Sequence, residues 1–127
     1  MGLGMQVRVR AYTSLLNMGF EKEVLQESDG AQVQAGQTVT VHCTGTVVES
    51  GYQFWSTKDA GQKPFSFTIG QGSVIPAWDE GVLTMNVGEV SIIHATSDYA
   101  YGANGFPAWK IPPNADLDFE IEVISSE

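Results

Sequence analysis

The sequence predicts an α+β domain, a five- to six-stranded antiparallel sheet wrapped around one short helix. Three observations lead there. Several short runs alternate apolar and polar residues, which sends successive side chains to opposite faces of a strand. Gly, Asn, Asp and Pro separate those runs, and these are the residues that turn a chain. Only one stretch has helical spacing, so the sheet must bury its apolar face against that helix.

The elements follow in order. Val24 and Leu25 lie in a first strand, closed by the turn signal Ser28-Asp29-Gly30. TVTVHCTGTVV then alternates strictly, with Val39, Val41 and Cys43 on one face and Thr38, Thr40, His42 and Thr44 on the other. Ser50-Gly51 turns the chain into a strand holding Tyr52 and Phe54, and a loop through Lys58–Gly61 leads to the alternating FSFTIG. Residues 77–85 place Trp78, Val82 and Met85 on one helical face. Pro76 stands at the helix start, where its missing N–H costs nothing. A strand from about Glu89 to Thr96 follows, then a long Gly- and Pro-rich aromatic loop. Last, DLDFEIEVI points Leu117, Phe119, Ile121 and Val123 inward and its four carboxylates outward.

Residues 1–18 read differently. They carry two arginines and no acidic residue, a faint echo of a transit peptide. The simpler expectation is a flexible extension, with the domain proper spanning 19–127. A chain of 127 residues suits one domain with a genuine core.

The formal net charge of −9 argues against nucleic acid and anionic lipid, because binding either needs clustered Lys and Arg. No apolar run reaches the roughly 18 residues of a membrane span. One cysteine allows no internal disulfide and fits a reducing compartment, so a cytoplasmic location is expected. His42 and His94 sit inside strands, where structural roles are expected. No nucleophile elbow or phosphate loop is present, and no metal or cofactor is implied. What remains is aromatic. More rings occur than a core this small needs, and several lie on loops, which points to an apolar pocket for a ligand.

Several stretches resemble the FKBP family of prolyl isomerases: GQTVTVHCTGTV, KPFSFTIGQGSVIPAWDEGVLTMNVGE, SDYAYGANGFP and IPPNADLDFEIEV. FWSTKDAGQKPF and GFPAW are similar to plant-type members in particular. The resemblance runs over residues 19–127 and implies an immunophilin fold with rotamase activity that assists protein folding. It assigns Trp78 to the floor of a proline pocket and Phe54, Phe65 and Phe119 to its walls. Val74 and Ile75 edge the pocket, with the Ile75 N–H offered to a bound carbonyl. Tyr101 offers its hydroxyl, and Phe106 and Ile111 come from the overhanging loop. Phe54, Trp78, Tyr101 and Phe119 are the residues it implicates in catalysis.

Two pocket positions depart from the common family pattern. Trp55 stands where many members carry an acidic residue, and Cys43 where many carry Tyr. Trp55 is expected to fill part of the volume that Cys43 leaves, which makes this side less polar, and without the carboxylate one hydrogen bond to a macrolide is left open. The partners implied are proline-containing peptides and proteins, and tacrolimus- or rapamycin-like macrolides presented to calcineurin or the TOR kinase. The alternative is a non-catalytic module that binds proline segments or macrolides and regulates a partner protein.

Overall fold

The computed structural model describes residues 10–12 and 19–127. Its strands are β1 (Arg10–Tyr12), β2 (Phe20–Gln26), β3 (Thr38–Val47), β4 (Gln53–Ser56), β5 (Phe65–Thr68), β6 (Val90–Ala95) and β7 (Leu117–Ser126). They form one antiparallel sheet in the order β1-β2-β6-β7-β3-β4, with β5 pairing separately to β3. Six of these strands come from residues 19–127, as expected. The seventh, β1, is an edge strand contributed by the N-terminal segment, with Ala11 opposite Lys22. The flexible extension expected over residues 1–18 lies, apart from Arg10–Tyr12, outside the described residues.

The alternation read in the sequence becomes burial. Val39, Val41, Cys43 and Val47 of β3 face inward beside Leu117, Phe119, Ile121 and Val123 of β7, and all are buried. These two strands form the longest ladder, from Val39 opposite Ser126 to Val47 opposite Leu117. Register shifts at Thr40/Val41 and at Gly45/Thr46 interrupt β3. Such shifts bend and twist a strand, which helps the sheet curl around its helix.

Helix α1 (Pro76–Gly81) lies in that curl and is shorter than the spacing predicts. A tighter 3-10 turn takes over at Val82–Thr84, yet Trp78, Val82 and Met85 are all buried as the pattern requires. A second constraint explains the close packing. A Cβ on Gly81 would stand 3.1 Å from Ile93 Cδ1 on β6, so glycine lets the helix approach the sheet.

One buried polar network was not legible in the pattern. Lys22 and Glu89 pair at 2.8 Å with both side chains 8% exposed. The Lys22 ammonium also donates to the Thr84 carbonyl at 2.9 Å, while Glu89 accepts from Asn86 N–H and Ser91 Oγ–H. The network joins β2, the end of the helical segment and β6. Buried charge is tolerated only when so fully satisfied.

Candidate functional site

The site is assembled at the N-terminal end of α1. Asp79, in the helix's first turn, accepts hydrogen bonds from Gly70 N–H at 2.9 Å and Gly72 N–H at 2.7 Å. Ser73 Oγ–H donates to the Thr68 carbonyl at 3.0 Å. These bonds pin the segment between β5 and α1, and so fix Val74 and Ile75. Ile75 is the helix's N-cap residue, and its extended backbone ends at Pro76. Its carbonyl accepts from Trp78 and Asp79 N–H, whereas its own N–H has no acceptor in the chain among the described hydrogen bonds. An unpaired donor at a helix start is available to a ligand carbonyl.

The long loop between β6 and β7 is held by its own backbone. Phe106 N–H donates to the Ile111 carbonyl at 2.9 Å and Ile111 N–H to the Phe106 carbonyl at 3.1 Å. That closed turn carries a short 3-10 segment, Pro107–Trp109, and places Lys110 in the left-handed region at φ 60°. Further back, Asn114 N–H donates to the Gly102 carbonyl at 2.8 Å. The loop therefore presents Tyr101, Phe106 and Trp109 from a braced backbone.

Together these elements enclose a cavity of about 540 Å³ lined by Trp55, Phe65, Ser73, Val74, Ile75, Trp78, Tyr101, Trp109 and Phe119. None of these side chains is ionised at neutral pH. Trp78 is only 3% exposed and packs edge-to-face on Phe119 (5.5 Å, 90°) and Phe65 (5.9 Å, 77°). Its indole N–H is buried without a hydrogen-bond partner, and such an unmet donor costs about 1–3 kcal/mol. Burial raises the Tyr101 phenol above its ordinary value of 10.0, with the nearby Cys43 adding to the rise. The hydroxyl is therefore neutral and able to donate.

The residues expected from the sequence divide by position. Trp55, Phe65, Val74, Ile75, Trp78, Tyr101 and Phe119 meet at the cavity. Phe54 stands behind it, edge-on to Phe119 at 5.9 Å and stacked on Trp109 at 6.0 Å. Phe106 stacks on Tyr101 at 5.3 Å and meets Trp109 edge-on, forming an exposed rim. Ile111 is buried at 2% exposure, anchoring the loop. Cys43 is 1% exposed, and burial raises its thiol well above 9.0, with Glu120 contributing. A neutral, shielded thiol is a small apolar filler here. The ring of Trp55 lies against Phe65, Trp78 and Trp109, along the cavity wall.

The sequence marks Trp109 as a surplus loop aromatic but gives it no pocket role, and it misses Ser73. A tryptophan between Pro107 and a loop lysine was the available signal for the first. A smaller hollow of about 380 Å³ lies elsewhere, flanked by Glu21, His94, Asp116 and Asp118. Its carboxylates and imidazole make it more polar than the aromatic cavity.

Fold and cavity together define a small sheet-and-helix domain with a neutral aromatic ligand pocket. Residues 29–124 match the family model described as FKBP-type peptidyl-prolyl cis-trans isomerase. The chain is 60% identical over 110 residues to the peptidyl-prolyl cis-trans isomerase FKBP12 of Arabidopsis thaliana, covering 85% of this chain and 98% of that one. It is 55% identical over 112 residues to the FKBP12 of Vicia faba, covering 87% and 100%. With the Fkbp12 of Drosophila melanogaster the identity is 44% over 111 residues, covering 87% and 100%. The chain belongs to the FKBP-type peptidyl-prolyl cis-trans isomerase family. Among the described residues no helix is long and apolar enough to cross a membrane, and no cluster of side chains is suited to a metal.

Proposed function

We propose that this family member accelerates rotation about X-Pro peptide bonds within the cavity between α1, β4 and the aromatic loop. The observation that carries the reading is the lining: mostly aromatic and neutral throughout, with the Ile75 N–H at its edge. Amide rotation costs about 18–20 kcal/mol because the C–N bond has partial double-bond character. No covalent bond breaks, so neither nucleophile nor titrating base is needed. The planar amide is the more polar species; twisting it removes resonance and charge separation. A cavity without ionised groups therefore binds the twisted amide better than water does, which is differential stabilisation of the transition state.

Trp78 and Phe119 supply the surface against which the proline ring is held. The Ile75 N–H and the Tyr101 hydroxyl orient carbonyls on either side of it. Phe54 acts from behind, by seating Phe119 and Trp109. Cys43 and Ile111 support the cavity from within the core, and Phe106 shapes its rim. Macrolides with a proline-like ring, such as tacrolimus or rapamycin, occupy the same cavity. No carboxylate lines it, so their affinity falls below that of members with an acidic residue at the Trp55 position. Presentation of such a complex to calcineurin or the TOR kinase, and a cytoplasmic setting, extend the same reading.

The test is an NMR titration with a short Ala-Leu-Pro-Phe peptide. Shifts centred on Ile75, Trp78, Tyr101 and Phe119, with exchange cross-peaks between cis and trans peptide, are expected. Shifts centred on the His94 hollow would overturn the assignment of the site.

A further inference from the structure

The protein's three tryptophans form one ladder. Trp109 stacks on Trp55 at 5.7 Å and 30°, and Trp55 stacks on Trp78 at 6.0 Å and 28°. Phe54 extends the ladder behind Trp109 at 6.0 Å and 27°. Stacked rings cover one another's faces, where the negative part of the aromatic quadrupole lies. Ring edges are positive, so a ligand ring entering beside the stack and meeting those edges is attracted through its own face. Trp109 lines the cavity with Trp55 and is 38% exposed on the closed turn between Phe106 and Ile111, so part of its ring is open to a ligand.

The cavity also exceeds what one pyrrolidine ring fills. Its volume of about 540 Å³ falls within the range of about 300–1,000 Å³ that holds drug-sized ligands. A residue adjoining the proline therefore enters with it and meets the tryptophan ladder.

Resting on the isomerase reading, we propose that Trp55 and Trp109 form a specificity subsite for an aromatic residue adjoining the proline. The incoming ring sets its negative face on the positive indole edges. Phe65 already meets Trp55 in this perpendicular manner, at 5.5 Å and 89°. Hydrophobic burial alone would treat a phenyl ring and a cyclohexyl ring of similar size alike. The edges distinguish them, because only the phenyl ring has a negative face. The same edges repel a Lys or Arg side chain, despite the chain's net charge of −9.

Two peptide series test the subsite, varying the residue before or after proline among phenylalanine, cyclohexylalanine, leucine and lysine. Wild-type kcat/KM is expected to favour phenylalanine over cyclohexylalanine by roughly two- to tenfold in one series, the range of a single aromatic pair. Lysine should be the poorest residue in that series. Trp109→Leu should bring the phenylalanine-to-cyclohexylalanine ratio close to one, whatever happens to the absolute rates; Trp109→Phe should retain part of it. A wild-type ratio of one in both series, or an unchanged ratio in Trp109→Leu, overturns the proposal. If no peptide is accelerated, the isomerase reading itself fails. The Kd ratio for the same peptide pairs, read by tryptophan fluorescence, then decides the subsite.

Discussion

Replacing Gly45 with alanine perturbs the site from behind. Gly45 sits on β3 opposite Trp55, at a register shift. A Cβ there would stand 2.5 Å from Phe54 Cζ and 2.9 Å from Cε1, inside any tolerable contact. The ring must move, because the strand backbone is held between β4 and β7. Phe54 is only partly buried and its far end meets the new methyl, so the strain falls at the low end of overpacking, about 1–2 kcal/mol. The functional effect should be larger in proportion. Phe54 backs both Phe119 and Trp109, and displacing those rings opens one cavity wall. A loss of about three- to tenfold in kcat/KM is expected from misplacement of this kind. Urea unfolding and a peptide isomerisation assay measure the two effects, and the double variant Gly45→Ala/Phe54→Leu should recover part of both. Wild-type stability and rate in Gly45→Ala would refute the idea that Phe54 seats the wall.

Three further outcomes follow from particular contacts. The His94 ring nitrogens face Asp118 at 2.6 Å and Glu23 at 3.2 Å, and Glu21 is its cross-strand neighbour on β2. Only the protonated ring can donate to both carboxylates, and the Asp118 hydrogen bond chiefly raises its pKa above 6.5. This stabilisation is complete below about pH 6.5 and lost as pH rises through the raised value. Thermal melts should therefore fall with alkalinity in wild type and flatten over that window in His94→Asn; equal slopes would contradict it. Trp78→Ala should cost about 3–5 kcal/mol, whereas Trp78→Phe should cost much less because it also deletes the unmet N–H. Equal losses in denaturant melts would count against that accounting. Glu89→Gln should destabilise by about 3 kcal/mol by stranding Lys22, and the double change Lys22→Met/Glu89→Leu should recover most of it. A double variant less stable than Glu89→Gln would show that the charges themselves carry the stability.

What the sequence revealed was mostly periodic. Alternation in β3 and β7 is a local property, so Val39 to Val47 and Leu117 to Val123 could be oriented by inspection. The helix was legible from Trp78, Val82 and Met85, but its early tightening at Val82 was not, because periodicity does not distinguish the last α turn from a 3-10 turn. Partnership across the chain was illegible for the same reason. Lys22 meets Glu89 and Thr84 only after β2 and β6 have paired, and nothing local marks the lysine as buried. Pocket residues carried by the family resemblance mostly reached the cavity. Trp109 did not appear among them because its position depends on the closed turn from Phe106 to Ile111.

On the proposed mechanism a neutral aromatic cavity twists the prolyl amide without titrating chemistry. The most direct measurement is kcat/KM for a Leu-Pro peptide, read by protease-coupled or NMR exchange methods from pH 6 to 8. The account predicts acceleration proportional to enzyme concentration, nearly flat across that range, because no ionisable group that titrates there lines the cavity. Tyr101→Phe should lower it by about two- to tenfold, the worth of one hydrogen bond. No acceleration over background, or a bell-shaped profile within that range, would contradict it.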